Sequence, residues 1–281
     1  MGLIKKFFLT GDTHGRVAER LETLKSKYPD LEPAETALII LGDAGFNFYL
    51  NKSDYKNKKQ VNDMGYIVYC LRGNHEERPE NLGMDQLWDT YIKGGVYYEP
   101  EFPNIRYLFD GEEYQFGEYT ALVIGGAYSV DKWYRLMRAG YTSDQAETAD
   151  PKKCGWFKDE QLTHAEMEEI SKGCAGQSYD FVLTHTCPLS WEPTDLFLSS
   201  INQASVDKSM EKWLEKFKDT INFNVWCFGH YHADRIERPH IEQYFNDIEE
   251  LNIIIERWKN YDKTGELDWW LQKSPKFFEK G

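Results

Sequence analysis

Five short clusters in this chain carry residues able to hold metal ions and move protons. They are GDTHG (residues 11–15), GD (42–43), GNHE (73–76), a single His185, and GHYH (229–232). Five of the seven histidines fall in them, which argues against histidine being spread through the chain for packing. An Asp-x-His pair alone is a weak signal. GNHE and GHxH are far rarer, each expected by chance in roughly one chain per hundred or fewer. Asp12 and His14 are two residues apart, as are His230 and His232, so on extended segments each pair would face one side. Imidazole and carboxylate together select borderline cations such as manganese, iron, zinc or nickel, and no thiolate stands in a ligand position to suggest structural zinc. Two such ions roughly 3.5–4 Å apart can share a carboxylate and a hydroxide and clamp the attacking and leaving oxygens of a displacement at phosphorus.

The elements that must position these clusters are legible as apolar runs. IKKFFLT, TALIIL, YIVYCL, YDFVLT and FNVWCF each stop abruptly at one of the clusters, and YTALVI stops at GGAYSVD. Runs of this length bounded by turn residues read as buried strands, and open α/β sheets place their ligands beyond strand ends. Helices are expected at Arg16 to Lys27, about Asn81 to Tyr91, Asp159 to Lys172 and Asp207 to Asp219. In the third, Leu162, Met167 and Ile170 form a core-facing stripe. Tyr134 to Phe157 reads as a long loop. Beyond a main domain of residues 1–240, the spacing of Ile248, Leu251, Ile254, Ile255 and Trp258 predicts one helix, followed by Trp269 and Trp270. Residues 241–281 are thus expected to be a helical extension packed on the same domain.

Composition excludes several classes. With 33 basic against 47 acidic residues the net charge is −14, the wrong sign for coating nucleic acid or a membrane surface. The start MGLIKKFFLTGD lacks the form of a secretory signal, and Lys6 stands where myristoylation would need Ser or Thr. No apolar stretch has transmembrane length. Cys70, Cys154, Cys174, Cys187 and Cys227 are odd in number and lack CxxC spacing, as expected of reduced thiols in a cytoplasmic protein. A P-loop or GxGxxG, which a nucleotide-binding module would need, is missing. Oligomeric state leaves no mark.

GDTHG, GD, GNHE, His and GHYH in this order closely resemble the calcineurin-like metallophosphoesterase superfamily, over about residues 8 to 232. The resemblance implies an α/β fold: a four-layer αββα sandwich of two mixed sheets flanked by helices, with two divalent metal ions at the strand ends. It implies Asp12, His14 and His232 on one ion, Asn74, His185 and His230 on the other, and Asp43 bridging them. His75 would be the general acid over the leaving group, opposite a metal-bridging hydroxide attacking in line. Of the candidate metals, manganese is expected to support activity best. Two cations, two carboxylates and a hydroxide leave the centre with about one net positive charge, enough to hold a phosphate inside an acidic protein. Arg72 in LRGNHE is a second candidate catalytic residue, as a phosphate contact; pairing with an acidic residue below the site is the alternative.

One departure matters. The Ser/Thr protein phosphatase branch carries GDxxDRG, which supplies a phosphate-gripping arginine and an acidic partner for the acid histidine; here GDAGFNF supplies neither. Protein phosphatase activity therefore ranks behind hydrolysis of a phosphorylated small molecule or nucleotide, as a diester or a monoester. A non-catalytic scaffold ranks last, because every ligand is retained. Asp131 and Arg135 lie either within substrate reach or on the surface. Tyr128, Trp133, Tyr134, Trp156 and Phe157 serve either packing or stacking on a nucleobase. His164 and His240 are expected to be exposed, and Cys187 a bystander. Substrate choice is expected to rest with loops around residues 44–65 and 128–157.

Overall fold

The computed structural model describes residues 3–266. The first half runs β1 (Lys6–Thr10), α1 (Val17–Lys27), β2 (Thr36–Ile40), α2 (Lys52–Asp63), β3 (Ile67–Cys70), β4 (Asp85–Asp89), β5 (Gly94–Tyr98) and β6 (Ile105–Leu108). A hairpin of β7 (Glu113–Phe116) and β8 (Tyr119–Ile124) leads to α3 (Lys132–Arg138), α4 (Pro151–Cys154) and α5 (His164–Cys174). The chain ends with β9 (Ser178–Thr184), α6 (Ser209–Phe217), β10 (Asn222–Phe228), β11 (Arg235–Arg238), β12 (Ile241–Gln243), β13 (Ile248–Glu250) and α7 (Leu251–Thr264).

Two mixed sheets result, ordered β13-β1-β2-β3-β6-β5-β4 and β11-β12-β10-β9-β8-β7. The β1-β2-β3-β6 core of the first and the β8-β9-β10-β12 core of the second are parallel, with antiparallel strands at the edges. Alternate residues of each central strand serve different layers. Phe7, Leu9, Ile39, Tyr69, Val123, Leu183 and Val225 meet between the sheets. Phe8, Leu38, Ile40 and Val68 point the other way, onto Val17, Leu21 and Leu24 of α1 and Val61 of α2. Leu122, Val182, Trp226 and Phe228 pack on Met167 and Ile170 of α5 and Leu214 and Phe217 of α6. This is the four-layer αββα sandwich, and it explains why the six apolar runs are continuous: strands buried on both faces have no polar side to alternate with.

Several expectations are corrected. Asn81 to Tyr91 is not a helix. A 3₁₀ turn at Pro79–Leu82 stops at Gly83 in the left-handed conformation, and Asp85–Asp89 pairs with β5 as an edge strand. The helix expected from Asp159 starts at His164, where Thr163 and Glu166 form a capping box worth about 1 kcal/mol. Tyr134 to Phe157 is not one loop, since α3, a 3₁₀ turn and α4 occupy much of it. Inside the supposed 44–65 loop lies α2, capped by the Asn51 side chain on the Ser53 N–H.

The segment after residue 240 is more than a helical extension. β12 pairs with β10 in one sheet and β13 with β1 in the other, before α7 begins. A buried cluster locks the helix down: Arg257 donates to both Glu242 oxygens at 2.8 Å, Trp258 Nε1 to Glu242 at 2.6 Å, and Tyr244 Oη to Glu249 at 2.8 Å. Buried charges are tolerated when paired and hydrogen-bonded in this way. His240 is half-buried rather than exposed, stacked on Trp258 and bonded to the Asn224 carbonyl and Asp262; His164 is exposed as expected. Trp269 and Trp270 lie outside the described residues. All five cysteines are buried and unpaired. Among the described residues no helix is long and apolar enough to cross a membrane.

Candidate metal centre

The five clusters converge where the parallel strands of both sheets end. Asp12 and His14 follow β1, Asp43 follows β2, Asn74 and His75 follow β3, His185 follows β9, and His230 and His232 follow β10. The expectation that Asp12–His14 and His230–His232 sit on extended segments is wrong. His14, Asp43, His230 and His232 all have left-handed backbones, with φ of 46°, 51°, 68° and 55°. Such a conformation costs a residue other than glycine about 1–3 kcal/mol. Four instances in one spot mean that tight turns, not strand periodicity, aim these side chains. The neighbouring glycines are needed for closeness: a Cβ at Gly42 would collide with the His185 ring, and one at Gly73 with the Asp43 carboxylate.

The carboxylates are pinned by the backbone of other loops. Asp12 Oδ1 accepts the His230 N–H at 2.8 Å, and Asp43 Oδ1 accepts the His75 N–H at 2.9 Å. That leaves Asp12 Oδ2 fully buried without a hydrogen bond, 3.3 Å from His232 Nε2 and 3.8 Å from His14 Nε2. The two imidazole nitrogens are themselves 2.9 Å apart. On the other side, the Leu41 carbonyl accepts from His185 Nδ1 at 2.6 Å. A neutral ring therefore turns the Nε2 lone pair towards Asn74 Oδ1, 2.9 Å away, and Asp43 Oδ1, 3.8 Å away. Asn74 is fixed in that orientation by donating its amide to Ser129 Oγ at 2.8 Å. Asp12, His14 and His232 form one group able to hold a cation; Asp12, Asp43 and His185 form another. The His230 ring stands beside His185, centroids 5.1 Å apart. Lone pairs facing lone pairs across gaps of about 3 Å fit cations placed among them.

Protonation states agree with that fit. Burial alone would raise the Asp12 carboxyl, but the His185, His232 and His14 rings outweigh it and hold it below the usual carboxylate range. Asp43 is likewise lowered: burial opposes ionisation, and His75 and His185 overcome it. Burial, with His185 adding to it, pushes His230 down to about 3. Ionised carboxylates and a neutral His230 are forms that metal ions require, whereas the hydrogen bond to Asp12 raises the His232 imidazole, whose proton a bound cation would displace.

Around this cluster the remaining candidates divide. The His75 ring lies 6.0 Å from that of His14 and edge-on to Phe48. Its Nδ1 is buried without a hydrogen bond among the described residues, and so is Asp131 Oδ1. Burial lowers the His75 pKa, with Asp43 the main group opposing and Asp131 adding to it. Arg135 lines a cleft together with His14, Asp43, His75 and His232. It pairs with Asp131 at 2.6 Å, and its guanidinium carbon lies 5.5 Å from the Phe48 ring centroid. Arg72 is corrected: it is buried, pairs with Asp110 at 2.9 Å, and donates to the Glu160 and Gly125 carbonyls. The structure does not bring it to the ligand cluster. Tyr128 lines the site; Trp156 and Phe157 are buried and Trp133 and Tyr134 exposed. Cys187 is buried under Tyr231.

Phe48, Tyr49 and Asn57 line one side, within the 44–65 range expected to bear on substrate choice though not singled out there, whereas residues 192–206 on the other side were missed. The run Leu196-Phe197-Leu198, apolar yet flanked by Asp195 and Ser199, was the one available signal.

No curated protein matches this chain. Among solved structures it resembles a protein serine/threonine phosphatase from Saccharomyces cerevisiae. The identity is 13%, with 86% of this chain and 67% of that chain covered and a TM-score of 0.32, too low to carry weight. The calcineurin-like phosphoesterase family, by contrast, matches residues 5–234, a span that takes in all five clusters. With its sandwich of mixed sheets and its candidate ligands gathered at the strand ends, the chain belongs to the calcineurin-like phosphoesterase family.

Proposed function

We propose that this protein hydrolyses a small phosphate ester, a nucleotide-type diester or a monoester, with His75 as general acid. Asp12, His14 and His232 would hold one divalent cation, Asn74, His185 and His230 a second, with Asp43 shared. The donors suit manganese, iron, zinc or nickel, with manganese expected to support activity best. Such a pair supplies water made nucleophilic near neutral pH and offsets charge on the phosphoryl oxygens.

The chain's own residues do the rest. Backbone N–H groups from opposite loops keep Asp12 and Asp43 in place while the ester changes. Arg135, whose planar guanidinium matches phosphoryl oxygens, orients the phosphate from the α3 side. As the ester P–O bond breaks, its electron pair stays on the departing oxygen and His75 delivers a proton there. Asp43, and after it Asp131, favour the protonated His75 against burial and the nearby Arg135. Arg72 takes no part, and with no GDxxDRG arginine either, protein phosphatase activity is the weaker reading.

The observation carrying this reading is the pair of acceptors, Asn74 Oδ1 and His185 Nε2, held face to face by Ser129 and Leu41. The test is to measure bound metals, then compare nitrophenyl phosphate with bis-nitrophenyl phosphate under each of the four metals. No hydrolysis of either would overturn the reading. His75→Ala should keep its metals and lose about a hundred- to ten-thousandfold in turnover of alkyl esters, and much less with nitrophenyl leaving groups. Equal losses would remove His75 from the acid role.

A further inference from the structure

The ligand cluster sits between two clefts that differ in kind. The one beside α3, of about 460 Å³, is lined by Arg135, Asn57 and Tyr49 in addition to His14, Asp43, His75 and His232. The other, of about 500 Å³, starts from the same Asp43, His75 and His232 and runs beneath residues 196–206. Both volumes suit small ligands.

The second cleft is walled by Leu196, Phe197, Leu198, Ile201, Val206 and Tyr231. The Phe197 and Tyr231 rings are nearly parallel, 25° apart with centroids at 6.3 Å. Leu196 is 39% and Leu198 62% exposed, so one short segment holds apolar side chains in water at the mouth of the site. Apolar surface gathered this way marks contact with an apolar partner. Away from the histidine cluster, the ionisable side chains lining the cleft are carboxyl groups, of which burial raises Glu211 to about 7. Glu192 pairs with Lys208 at 2.7 Å, Glu211 accepts from the Thr186 hydroxyl at 2.7 Å, and Asp131 pairs with Arg135. Among the described residues, no lysine or arginine lines it. An anionic arm entering here would meet the Asp131 and Glu192 carboxylates, and Lys208, 4.7 Å from the Phe197 ring centroid, is already paired with Glu192; a flat neutral ring would meet Phe197, Tyr231 and the leucines.

Resting on the phosphoesterase reading above, we propose that this cleft is the leaving-group site and takes an uncharged aromatic group. Arg135 draws the phosphoryl group to the α3 side, so the organic part of the ester is left to the wall at 192–206. The substrate class is then a phosphate ester of a ring-bearing alcohol or phenol, and phosphoanhydride chains are excluded.

The test uses esters with matched leaving oxygens. With the manganese-loaded full chain, 2-phenylethyl phosphate should exceed ethyl phosphate in kcat/KM by about tenfold or more, the usual scale of stacking on an aromatic wall. Calorimetry with the unreactive 2-phenylethylphosphonate and ethylphosphonate should show a Kd preference of the same order. Phe197→Ala should bring both ratios close to one. Leu196→Lys, at a half-exposed position that tolerates the change, should raise the turnover of pyrophosphate relative to 2-phenylethyl phosphate. Equal kcat/KM for the matched esters, equal Kd for the phosphonates, or ratios that survive Phe197→Ala would each overturn the leaving-group site. Failure of every ester to react would sink the phosphoesterase reading instead, and the phosphonate affinities would still judge the cleft.

Discussion

His185 is fully buried with its ring tied to the Leu41 carbonyl, whereas His232, across Asp12 from it, leaves half its side chain open to solvent. Asn74, beside His185, is held by Ser129, and Ser129 in turn donates its backbone N–H to Glu160 at 3.1 Å. His14, beside His232, has 31% of its side chain exposed, and its Nε2 faces only His232 and Asp12. One half of the centre is thus braced by two further layers of hydrogen bonds. The other relies on tight turns and on the His232 ring lying against Phe245. Supporting hydrogen bonds of this kind typically change metal affinity by about 10–100-fold. The inner position should therefore bind its ion more tightly than the outer one.

Removing Asp43, which lies 3.8 Å from both His14 and His185 and is proposed to be shared, should have the largest effect. Asp43→Ala is expected to lose both ions and to lower turnover by about a thousandfold or more, measured by metal analysis and nitrophenyl phosphate hydrolysis on the same sample. A variant that kept two ions would mean that the halves do not share Asp43. The next effect tests the asymmetry itself. His232→Ala should weaken only the looser of two manganese-binding steps, by roughly 10–100-fold, while His185→Ala should remove the tighter one. A titration in which both variants weaken the same step would break the comparison.

The smallest effect probes the bracing. Burial raises the Glu160 carboxyl to about 7. A group whose folded pKa lies above its unfolded value stabilises the fold fully at low pH, and loses that contribution as pH rises through the folded value. Between pH 4.5 and 8 the metal-free protein should lose on the order of 3 kcal/mol from this source. Glu160→Gln stays neutral throughout, so its Tm should fall less between pH 5 and pH 8. Some slope should survive, because Glu211 is raised to about 7 in the same way. Identical slopes would show that Glu160 does not titrate across that range.

Sequence reached the centre of this molecule more readily than its margins, for physical reasons. Phe8, Leu38, Val182 and Trp226 are buried on one face while their neighbours are buried on the other, so their strands read as unbroken apolar runs. Clusters of candidate ligands at the ends of such runs were visible from residue type alone. β4 is an edge strand with mostly open side chains, and nothing in DQLWD distinguishes it from a helix turn. α2 is polar almost throughout, burying only Asp54, Lys58 and Val61, so it carries no stripe. The partner of Arg72, Asp110, is 38 residues away, and no local spacing announces such a pair. The left-handed turns at His14 and His230 were equally silent, since only a few per cent of non-glycine residues adopt that conformation and no local spacing marks which histidines will.

Because Lys6–Thr10 is flanked on one side by Ile248–Glu250, β1 must wait for a strand that leaves the ribosome long after it. Until that segment emerges, one rim of β1 carries unpaired amides, an invitation to strands of other chains. Contacts spanning some 240 residues also make for slow closure. Newborn copies would be most prone to aggregate before Ile248–Glu250 has emerged.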